Sequence, residues 1–437
     1  MPLQYPFIRI DRCLGVQRAL LLALSSQFTM DRRAFLQSTL ALAAPPQITR
    51  EVFLRSPGKG TAIMASAYYT RKSGAEMVSV EQRWSRSDTI DVAYTRKSKD
   101  HGKTWTEPVK VITGEKRPDG MWRKHLRPGW VDPRTGRYID FWVEGVLPSD
   151  DPLEGMRQWN IFYSVNERSP QQIVQKGPEF SKEHPLPGVY HGKNSVMLGD
   201  SSCQPVGAPD GSILLPTSVA PLGPDGKPAN PVGAYTFHDA AILHGKWKGN
   251  QLEWESGPRI EADPQRATRG MDEPTLARLA NGKWICVMRG SNEKKPTLPS
   301  YRWISVSNDG GWNWTKPAPW TYHDGEAFFS PSACSQLIAH PNGRLYWAGN
   351  ITPENPRGNR PRFPFVIGEV DQDSGLLIKG NLRVVDDKQA GEDPLLSLSN
   401  FYARLDRQSG GIAIHMTRLF AFNDGWVGDA YLYRVPV

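Results

Sequence analysis

Acidic and basic side chains at the ends of strand-like segments are the first candidates for chemistry in this sequence. Asp272 and Glu273 precede an apolar segment at 276–279, and Arg289 directly follows a second apolar segment at 284–288. A carboxylate can accept or donate a proton, and a guanidinium can grip an anion through two parallel hydrogen bonds. The stretch therefore predicts an acid–base group and an anion-binding group on neighbouring strands.

Metal and nucleotide chemistry find little support in the sequence. The nine histidines lack His-x-x-x-His and Glu-x-x-His spacing, and the four cysteines show neither metal spacing nor a disulfide framework. We therefore expect no metal and no cofactor. The lack of a Gly-rich phosphate loop and of a Gly-x-Ser-x-Gly elbow argues against nucleotide-binding and α/β-hydrolase folds. Four histidines could contact the hydroxyl groups of a ligand: His125, His191, His238 and His323.

Short strand-like segments separated by turn residues must position these groups. The chain has 40 glycines and 37 prolines, and from about residue 45 onward it shows no long helical period. Two turns, at 98–105 and 307–314, match S-x-D-x-G-x-x-W, and each directly follows a strand-like segment. In such a turn the Asp or Ser side chain binds backbone amides, the glycine takes a positive φ, and the tryptophan packs under the hairpin. Strands joined by such turns are typical of β-propeller blades.

These turns are the Asp boxes of sialidase-type propellers, and the chain resembles the bacterial sialidase (neuraminidase) family over nearly all of residues 45–437. The resemblance implies an all-β fold, a six-bladed β-propeller of four-stranded antiparallel sheets with BNR repeats. It also implies an exo-acting, retaining glycoside hydrolase that cleaves a terminal acidic sugar, sialic acid, from a glycan or glycoconjugate. Asp boxes lie away from the catalytic face in that family, so they indicate the fold and not the chemistry.

The resemblance assigns the nucleophile to Tyr402 and the base that takes its proton to Glu273. The anomeric carbon of a sialic acid carries a carboxylate, which a neutral phenol approaches more easily than a second anion does. A phenol has a pKa of about 10, so a neighbouring carboxylate must activate it. Asp272 is the competing carboxylate, and a packing role beside Phe401 is the alternative for Tyr402.

A cluster of arginines that holds the substrate carboxylate is also implied by the resemblance. Arg289 matches the arginine at the end of a strand, and Arg362 matches a later arginine that precedes a strand. Arg357 and Arg360 lie close enough in sequence to compete with Arg362. The segment 349–362 is rich in Pro, Asn and Arg, which is typical of a functional loop or a lid.

The first arginine and the acid come from the opening part of the predicted propeller. Arg55 is the nearest counterpart of the family's first arginine, and Arg71 is the alternative. The resemblance assigns the acid that protonates the leaving oxygen to Asp88, because, as in sialidases, an arginine (Arg83) and then an aspartate precede the strand leading to the first Asp box. Arg83 is a further candidate for substrate binding, and Asp91 is the competing acid. A loop position suits an acid that becomes partly desolvated, since desolvation raises a carboxyl pKa.

Residues 1–44 predict an export signal, and residues 45–437 predict the propeller domain. A twin arginine lies within 30–36, and an apolar run with an Ala-x-Ala-like site follows at 40–44. Met30 is then an alternative start, and an ordinary N-terminal helix is the alternative interpretation. We expect an exported protein, periplasmic or extracellular, without a membrane span.

Charge and composition bound the partners. The net charge is +8, but no Lys/Arg run is long enough for a nucleic-acid-binding tail, so we expect a glycan partner, no nucleic acid and a monomer. The excess positive charge could steer an anionic substrate. Two alternatives stay open. The enzyme could act on another sugar such as a uronic acid, because the first arginine is poorly matched. The propeller could also bind glycans without turnover, because Asp boxes occur in such proteins.

Overall fold

Six antiparallel sheets make up the part of the chain that the structure, a computed structural model, describes: residues 47–152, 159–173, 196–225 and 227–437. Each sheet is one blade, and the blades follow one another along the chain, as in a six-bladed β-propeller. The predicted all-β fold class is confirmed. The predicted export signal at 1–44 lies outside the described residues. Within the described part, no helix has both the length and the apolar character needed to cross a membrane.

The strands are grouped by blade, and β1 (Thr49–Leu54) belongs to the last one. Blade 1 contains β2 (Ala62–Tyr69), β3 (Met77–Trp84), β4 (Val92–Ser98) and β5 (Val109–Val111). Blade 2 contains β6 (Gly114–Arg117), β7 (Gly120–Leu126), β8 (Trp130–Val131), β9 (Tyr138–Leu147), β10 (Asn160–Val165) and β11 (Gln171–Gln172). Blade 3 contains β12 (Val196–Met197), β13 (Val206–Gly207), β14 (Ile213–Val219), β15 (Asp239–Lys248) and β16 (Gln251–Ser256).

The remaining three blades are four-stranded. Blade 4 contains β17 (Asp272–Arg278), β18 (Trp284–Arg289), β19 (Arg302–Ser307) and β20 (Ala318–Pro319). Blade 5 contains β21 (Gln336–Ala339), β22 (Leu345–Asn350), β23 (Phe365–Val370) and β24 (Arg383–Asp386), with a 3-10 turn at Lys379–Asn381. Blade 6 contains β25 (Phe401–Leu405), β26 (Ile412–Thr417), β27 (Ala430–Val435) and β1. Blades 2 and 3 differ from the predicted four-stranded form only by additional short strands.

The ring is closed where the two ends of the described chain meet in blade 6. β1 pairs antiparallel with β27, with Thr49 opposite Arg434 and Glu51 opposite Leu432. β1 is therefore the outermost strand of the sheet β1-β27-β26-β25. Because the first strand completes the last blade, backbone hydrogen bonds hold the propeller closed and leave no gap between its first and last blades.

The middle strands are buried on both faces because each blade packs between two others. Every residue of β18, β22 and β26 is buried. In the core between blades 4 and 5, the rings of Trp320 and Trp347 pack edge to face with centroids 5.3 Å apart. Truncating a buried tryptophan to alanine typically costs about 3–5 kcal/mol. This packing holds the inner strand ends, and the side chains on them, in fixed positions.

Both Asp boxes form the turn that their sequence predicts. In the first, Ser98 Oγ accepts a hydrogen bond from the Gly102 amide at 2.9 Å, and the Thr104 amide donates to Asp100 at 2.9 Å. In the second, the Ser307 hydroxyl accepts from the Gly311 amide at 3.0 Å. All these bonds join residues four positions apart, so each turn is a local structure.

Candidate active site

One pocket of about 460 Å³ receives side chains from all six blades. Because only the axis of a propeller is reached by every blade, the pocket lies where the blades converge. One apolar wall comes from blades 1 and 6 and includes Met64, Trp84, Leu419, Phe420 and Trp426. Its polar lining, among the described residues, includes Asp88, His125, Arg127, Asp200, His238, Arg269, Asp272, Glu273, Arg289, Arg362 and Asn400.

Glu273 and Arg289 face each other across blade 4. In the β17–β18 pairing Asp272 lies opposite Arg289 and Thr275 opposite Val287, so β17 holds one extra residue between these pairs. Such a bulge re-aims a side chain. Glu273 lies in it with a φ of 44°, a conformation that is strained for a side chain of this size. Its carboxylate forms an ion pair with Arg289 Nη1 at 2.8 Å.

The neighbouring carboxylate of Asp272 is committed to buried partners. It accepts hydrogen bonds from the Ser218 hydroxyl at 2.7 Å and from the Glu273 amide at 2.9 Å, and His238 Nδ1 lies 3.5 Å from it. Burial by itself raises its pKa, but His238 and then Arg289 outweigh burial and hold the pKa of Asp272 far below its ordinary value. Asp272 therefore stays ionised and positions the residues around it.

Three arginines, Arg269, Arg289 and Arg362, come together beside the carboxylates of Asp272 and Glu273. Arg269 donates to Thr236 Oγ1 at 2.9 Å, and Arg362 donates to the Ser332 carbonyl at 2.7 Å. Desolvation and then the charge of Arg289 lower the pKa of Arg269 below its ordinary value and that of Arg362 to about 10. The Nε–H groups of Arg269 and Arg362 are buried, and neither has a hydrogen-bond partner among the described residues. Burial and repulsion from Arg289 disfavour the charges of Arg269 and Arg362, so the place where the three arginines meet suits an anion.

A third pocket carboxylate, Asp200, comes from blade 3. It accepts hydrogen bonds from Asn400 Nδ2 at 2.9 Å and from the Ser201 amide at 2.8 Å, and Cys334 Sγ lies 3.4 Å away. Burial raises the pKa of Asp200, the charge of Arg127 partly offsets this, and the charge of Glu273 adds to it. Asp200 is thus a carboxyl that keeps its proton to higher pH than an exposed one.

Asp88 lies at the exposed side of the pocket. It follows β3 with a φ of 52°, and its carboxylate accepts hydrogen bonds from Ser87 Oγ at 2.8 Å and from Tyr235 Oη at 3.2 Å. Burial and then the charge of Asp88 raise the pKa of Tyr235 well above its ordinary value. The carboxyl group of Asp88 can therefore meet both solvent and a ligand in the pocket.

The structure does not bring three of the sequence-predicted residues into the pocket. Tyr402 is buried in a cluster with Tyr68, Val80 and Tyr138, and its ring meets that of Tyr68 edge to face at 6.3 Å. It does not line the pocket that contains Glu273.

The two arginines predicted from the first part of the chain are engaged elsewhere. Arg55 is largely exposed and pairs with Asp429 at 3.4 Å. Arg83 pairs with Glu81 at 2.6 Å and stacks over the Tyr94 ring. Neither is among the described residues that line the pocket.

Other predicted residues do reach the pocket. Asp88, Glu273, Arg289 and Arg362 line it together, and so does the competing carboxylate Asp272. Of the four histidines, His125 and His238 line the pocket and His323 does not, while His191 lies outside the described residues. Burial lowers the pKa of His125 to about 3, so this ring stays neutral.

Several pocket residues were missed by sequence reasoning, namely Arg127, Asp200, Arg269 and Asn400. Asn400 lies two residues before the predicted Tyr402, at the residue that precedes β25. Arg269 lies three residues before Asp272, and this proximity in sequence was the one signal that could have marked Arg269 as a pocket residue. Within the described residues no group of three or more histidine, cysteine and acidic side chains could hold a metal ion.

The fold and the pocket define the class of this protein: it is a sialidase-type propeller with a charged pocket on its axis. Residues 85–392 match the BNR repeat-like domain, and the chain belongs to that family. A search of curated proteins finds no match.

Solved structures similar to this chain share its fold at low sequence identity. A protein of unknown function from Dyadobacter fermentans is 15% identical with a TM-score of 0.57, covering 89% of this chain and 99% of that one. The NanB sialidase from Streptococcus pneumoniae is 12% identical with a TM-score of 0.55, covering 93% and 72%. A leech intramolecular trans-sialidase is 12% identical with a TM-score of 0.51, covering 93% and 72%.

Proposed function

We propose that this protein is an exo-acting glycoside hydrolase that releases a terminal acidic sugar, with sialic acid as the first substrate to test. The observation that carries the proposal is the cluster of Arg269, Arg289 and Arg362 in one pocket with the carboxylates Asp88 and Glu273. A buried arginine whose charged form is disfavoured by a neighbouring arginine is stabilised by an anion, and glycosidic cleavage needs carboxylates on two sides of the bond.

The substrate carboxylate takes its place among the guanidinium groups. Burial and the charge of Arg289 disfavour the charged forms of Arg269 and Arg362. A carboxylate beside these guanidinium groups offsets that destabilisation. Arg289 contributes charge while its Nη1 keeps Glu273 in place.

The chemistry requires a proton donor and a base. Asp88 protonates the leaving oxygen from the exposed side of the pocket. Glu273 takes a proton from a water molecule, whose oxygen attacks the anomeric carbon as the glycosidic bond breaks. Water replaces the phenol as nucleophile because Tyr402 does not line the pocket. Direct attack by water inverts the anomeric centre, in place of the retention that a tyrosine nucleophile implies.

The test is turnover of a panel of aryl glycosides of sialic, glucuronic and galacturonic acid, with neutral glycosides as controls. The proposal expects turnover of an acidic glycoside and a loss of at least about 100-fold in kcat for Glu273→Gln. Proton NMR of the first-formed anomer tests inversion separately. Turnover of neutral glycosides alone would contradict the acidic substrate.

The general acid is tested by leaving-group dependence. Loss of the proton donor slows cleavage of poor leaving groups much more than that of activated aryl groups, because only the former need protonation. We expect this pattern for Asp88→Asn. The same pattern in Asp200→Asn, with Asp88→Asn unaffected, would transfer the role to the buried carboxyl of Asp200.

A second candidate, glycan binding without turnover, is favoured by the position of Tyr402 outside the pocket. It predicts that acidic monosaccharides bind, that binding weakens in Arg362→Gln, and that no glycoside of the panel is cleaved. Isothermal titration together with the turnover assay separates the two functions.

A further inference from the structure

A second depression opens beside the pocket on the loops of blades 4 and 5. It is lined by Glu293, Lys294, Pro296, Arg357, Gly358, Asn359 and Arg360. Three of these residues, Glu293, Asn359 and Arg360, also line the pocket on the axis. The depression, here called the basic groove, is therefore continuous with that pocket, and a ligand larger than one sugar can extend from the pocket into it.

The walls of the basic groove are held together by one buried asparagine. Asn292 is fully buried, and its Nδ2 donates to the Leu298 carbonyl at 2.8 Å and to the Pro356 carbonyl at 2.9 Å. Its Oδ1 accepts from the Gly358 amide at 2.8 Å. These bonds tie the loop that follows β18 to the loop that follows β22. The backbones of these two loops are thus held in place before a ligand binds, so binding need not order them.

The charge of the basic groove is unbalanced. Lys294, Arg357 and Arg360 are exposed, and none of them forms an ion pair with a described residue. Glu293 is the one acidic side chain that lines the groove, among the described residues. Three cations against one carboxylate leave the groove positive, with guanidinium groups that suit carboxylates or sulfate esters.

We propose that the basic groove is a subsite for a second anionic group on the sugar next to the one held in the pocket. The substrate class is then an acidic glycan with charged groups on consecutive sugars. This inference rests on the proposed function for the placement of the terminal sugar in the pocket. The basic groove makes the protein selective for longer and more highly charged glycans, because a neutral neighbouring sugar leaves the cations of the groove without a partner.

The test uses two variants in residues that line only the groove, Lys294→Gln and Arg357→Gln, with the exposed Lys110→Gln of β5 as the matched control. The probes are sialic acid, α2,8-linked tetrasialic acid, tetragalacturonic acid, a chondroitin sulfate tetrasaccharide and maltotetraose. We expect at least one acidic tetrasaccharide to bind wild type about tenfold or more tighter than its monosaccharide. Each groove variant should lose about tenfold in that affinity, with monosaccharide binding unchanged.

Different results separate the groove from the pocket. Equal binding of acidic tetrasaccharides and monosaccharides, or losses no larger than in Lys110→Gln, would overturn the subsite while leaving hydrolysis of aryl glycosides untouched. Absence of turnover with intact, groove-dependent tetrasaccharide binding would instead reject the hydrolase and keep the groove. Comparing carboxylated with sulfated tetrasaccharides identifies the anionic group, and circular dichroism confirms that each variant is folded.

Discussion

Arg289 and Glu273 form a 2.8 Å ion pair across neighbouring strands of blade 4, at the point where a bulge in β17 turns the glutamate out of register. Burial alone lowers the pKa of Arg289, but the charges of Glu273 and Asp272 outweigh burial and raise it. The guanidinium is therefore charged at all working pH values, and it can hold Glu273 and a substrate anion at once.

Replacing Arg289 tests both roles. In Arg289→Met the largely buried carboxylate of Glu273 loses its partner, so we expect a loss of about 3 kcal/mol in the free energy of unfolding. Arg289→Lys keeps the charge but loses the two parallel hydrogen bonds that a guanidinium can donate to a carboxylate. We therefore expect kcat/KM for an acidic glycoside to fall about 10- to 100-fold. Urea unfolding and steady-state kinetics provide the measurements. Unchanged stability in both variants would show that the ion pair contributes nothing in solution.

Tyr402→Phe should leave turnover within about twofold of wild type, because removing a hydroxyl from a ring outside the pocket changes no contact with the substrate. Burial raises the pKa of Tyr402, which further disfavours its phenolate. The matched comparison is Tyr235→Phe, which removes a hydrogen bond to Asp88 inside the pocket. A large loss of kcat in Tyr402→Phe alone would restore the tyrosine as nucleophile.

Gly199→Ala should impair activity while the propeller still folds. A Cβ at this position would lie 2.9 Å from Glu273 Cγ and 2.6 Å from Cys203 Sγ, so the added methyl group must displace one of them. The Gly199 carbonyl also accepts a 2.5 Å hydrogen bond from Arg127 Nε. We expect at least a tenfold loss of kcat, because small displacements of a catalytic group have large effects. Gly380→Ala, where no atom of the described residues lies within 4 Å of the added Cβ and the backbone is not left-handed, is the open-space control.

Asp239 makes stability depend on pH. Burial raises its pKa to about 6, although the Ala262 amide and Arg259 oppose the shift. The folded protein therefore binds this proton more tightly than the unfolded chain, and the associated stability is lost as the pH rises from about 4 to about 6. A shift of this size corresponds to about 2–3 kcal/mol.

Asp239→Asn removes that contribution, so its free energy of unfolding should vary less between these pH values than that of wild type. Chemical denaturation at a series of pH values measures the difference. Asp140, whose pKa burial likewise raises to about 6, contributes independently and should keep part of the dependence in the variant. An identical pH profile in wild type and Asp239→Asn would contradict the assignment.

The Asp boxes should affect stability and not catalysis. Asp309 accepts hydrogen bonds from the Asn313 amide at 2.9 Å and from Asn313 Nδ2 at 2.7 Å, and these interactions lower its pKa to about 2 despite the opposing effect of burial. Asp309→Ala should lower Tm by a few degrees and leave kcat and KM unchanged, as checked by calorimetry and kinetics. A lower kcat at a temperature where the variant is fully folded would show that this turn also affects catalysis in the pocket.

The fold could be predicted because its signals are local. The hydrogen bonds of each Asp box join residues within four positions, as between Ser98 and Gly102, so their spacing in the sequence already describes the turn. Glu273 and Arg289 were predictable as neighbours for a related reason, since a tight turn joins their strands. The alternation of short strands with Gly, Pro, Asn and Asp predicted the all-β character of the remaining chain.

The composition of the pocket was decided by tertiary structure. Asp200 and Asn400 are hydrogen-bonded across 200 positions of sequence, and no local pattern marks either of them. At β25 the packing between blades determines that Asn400 reaches the pocket while Tyr402 packs against Tyr68. Six blades converge on one axis, so each contributes side chains whose neighbours come from other blades. The local sequence therefore determines the blades, and only their closure into a ring determines which charges meet.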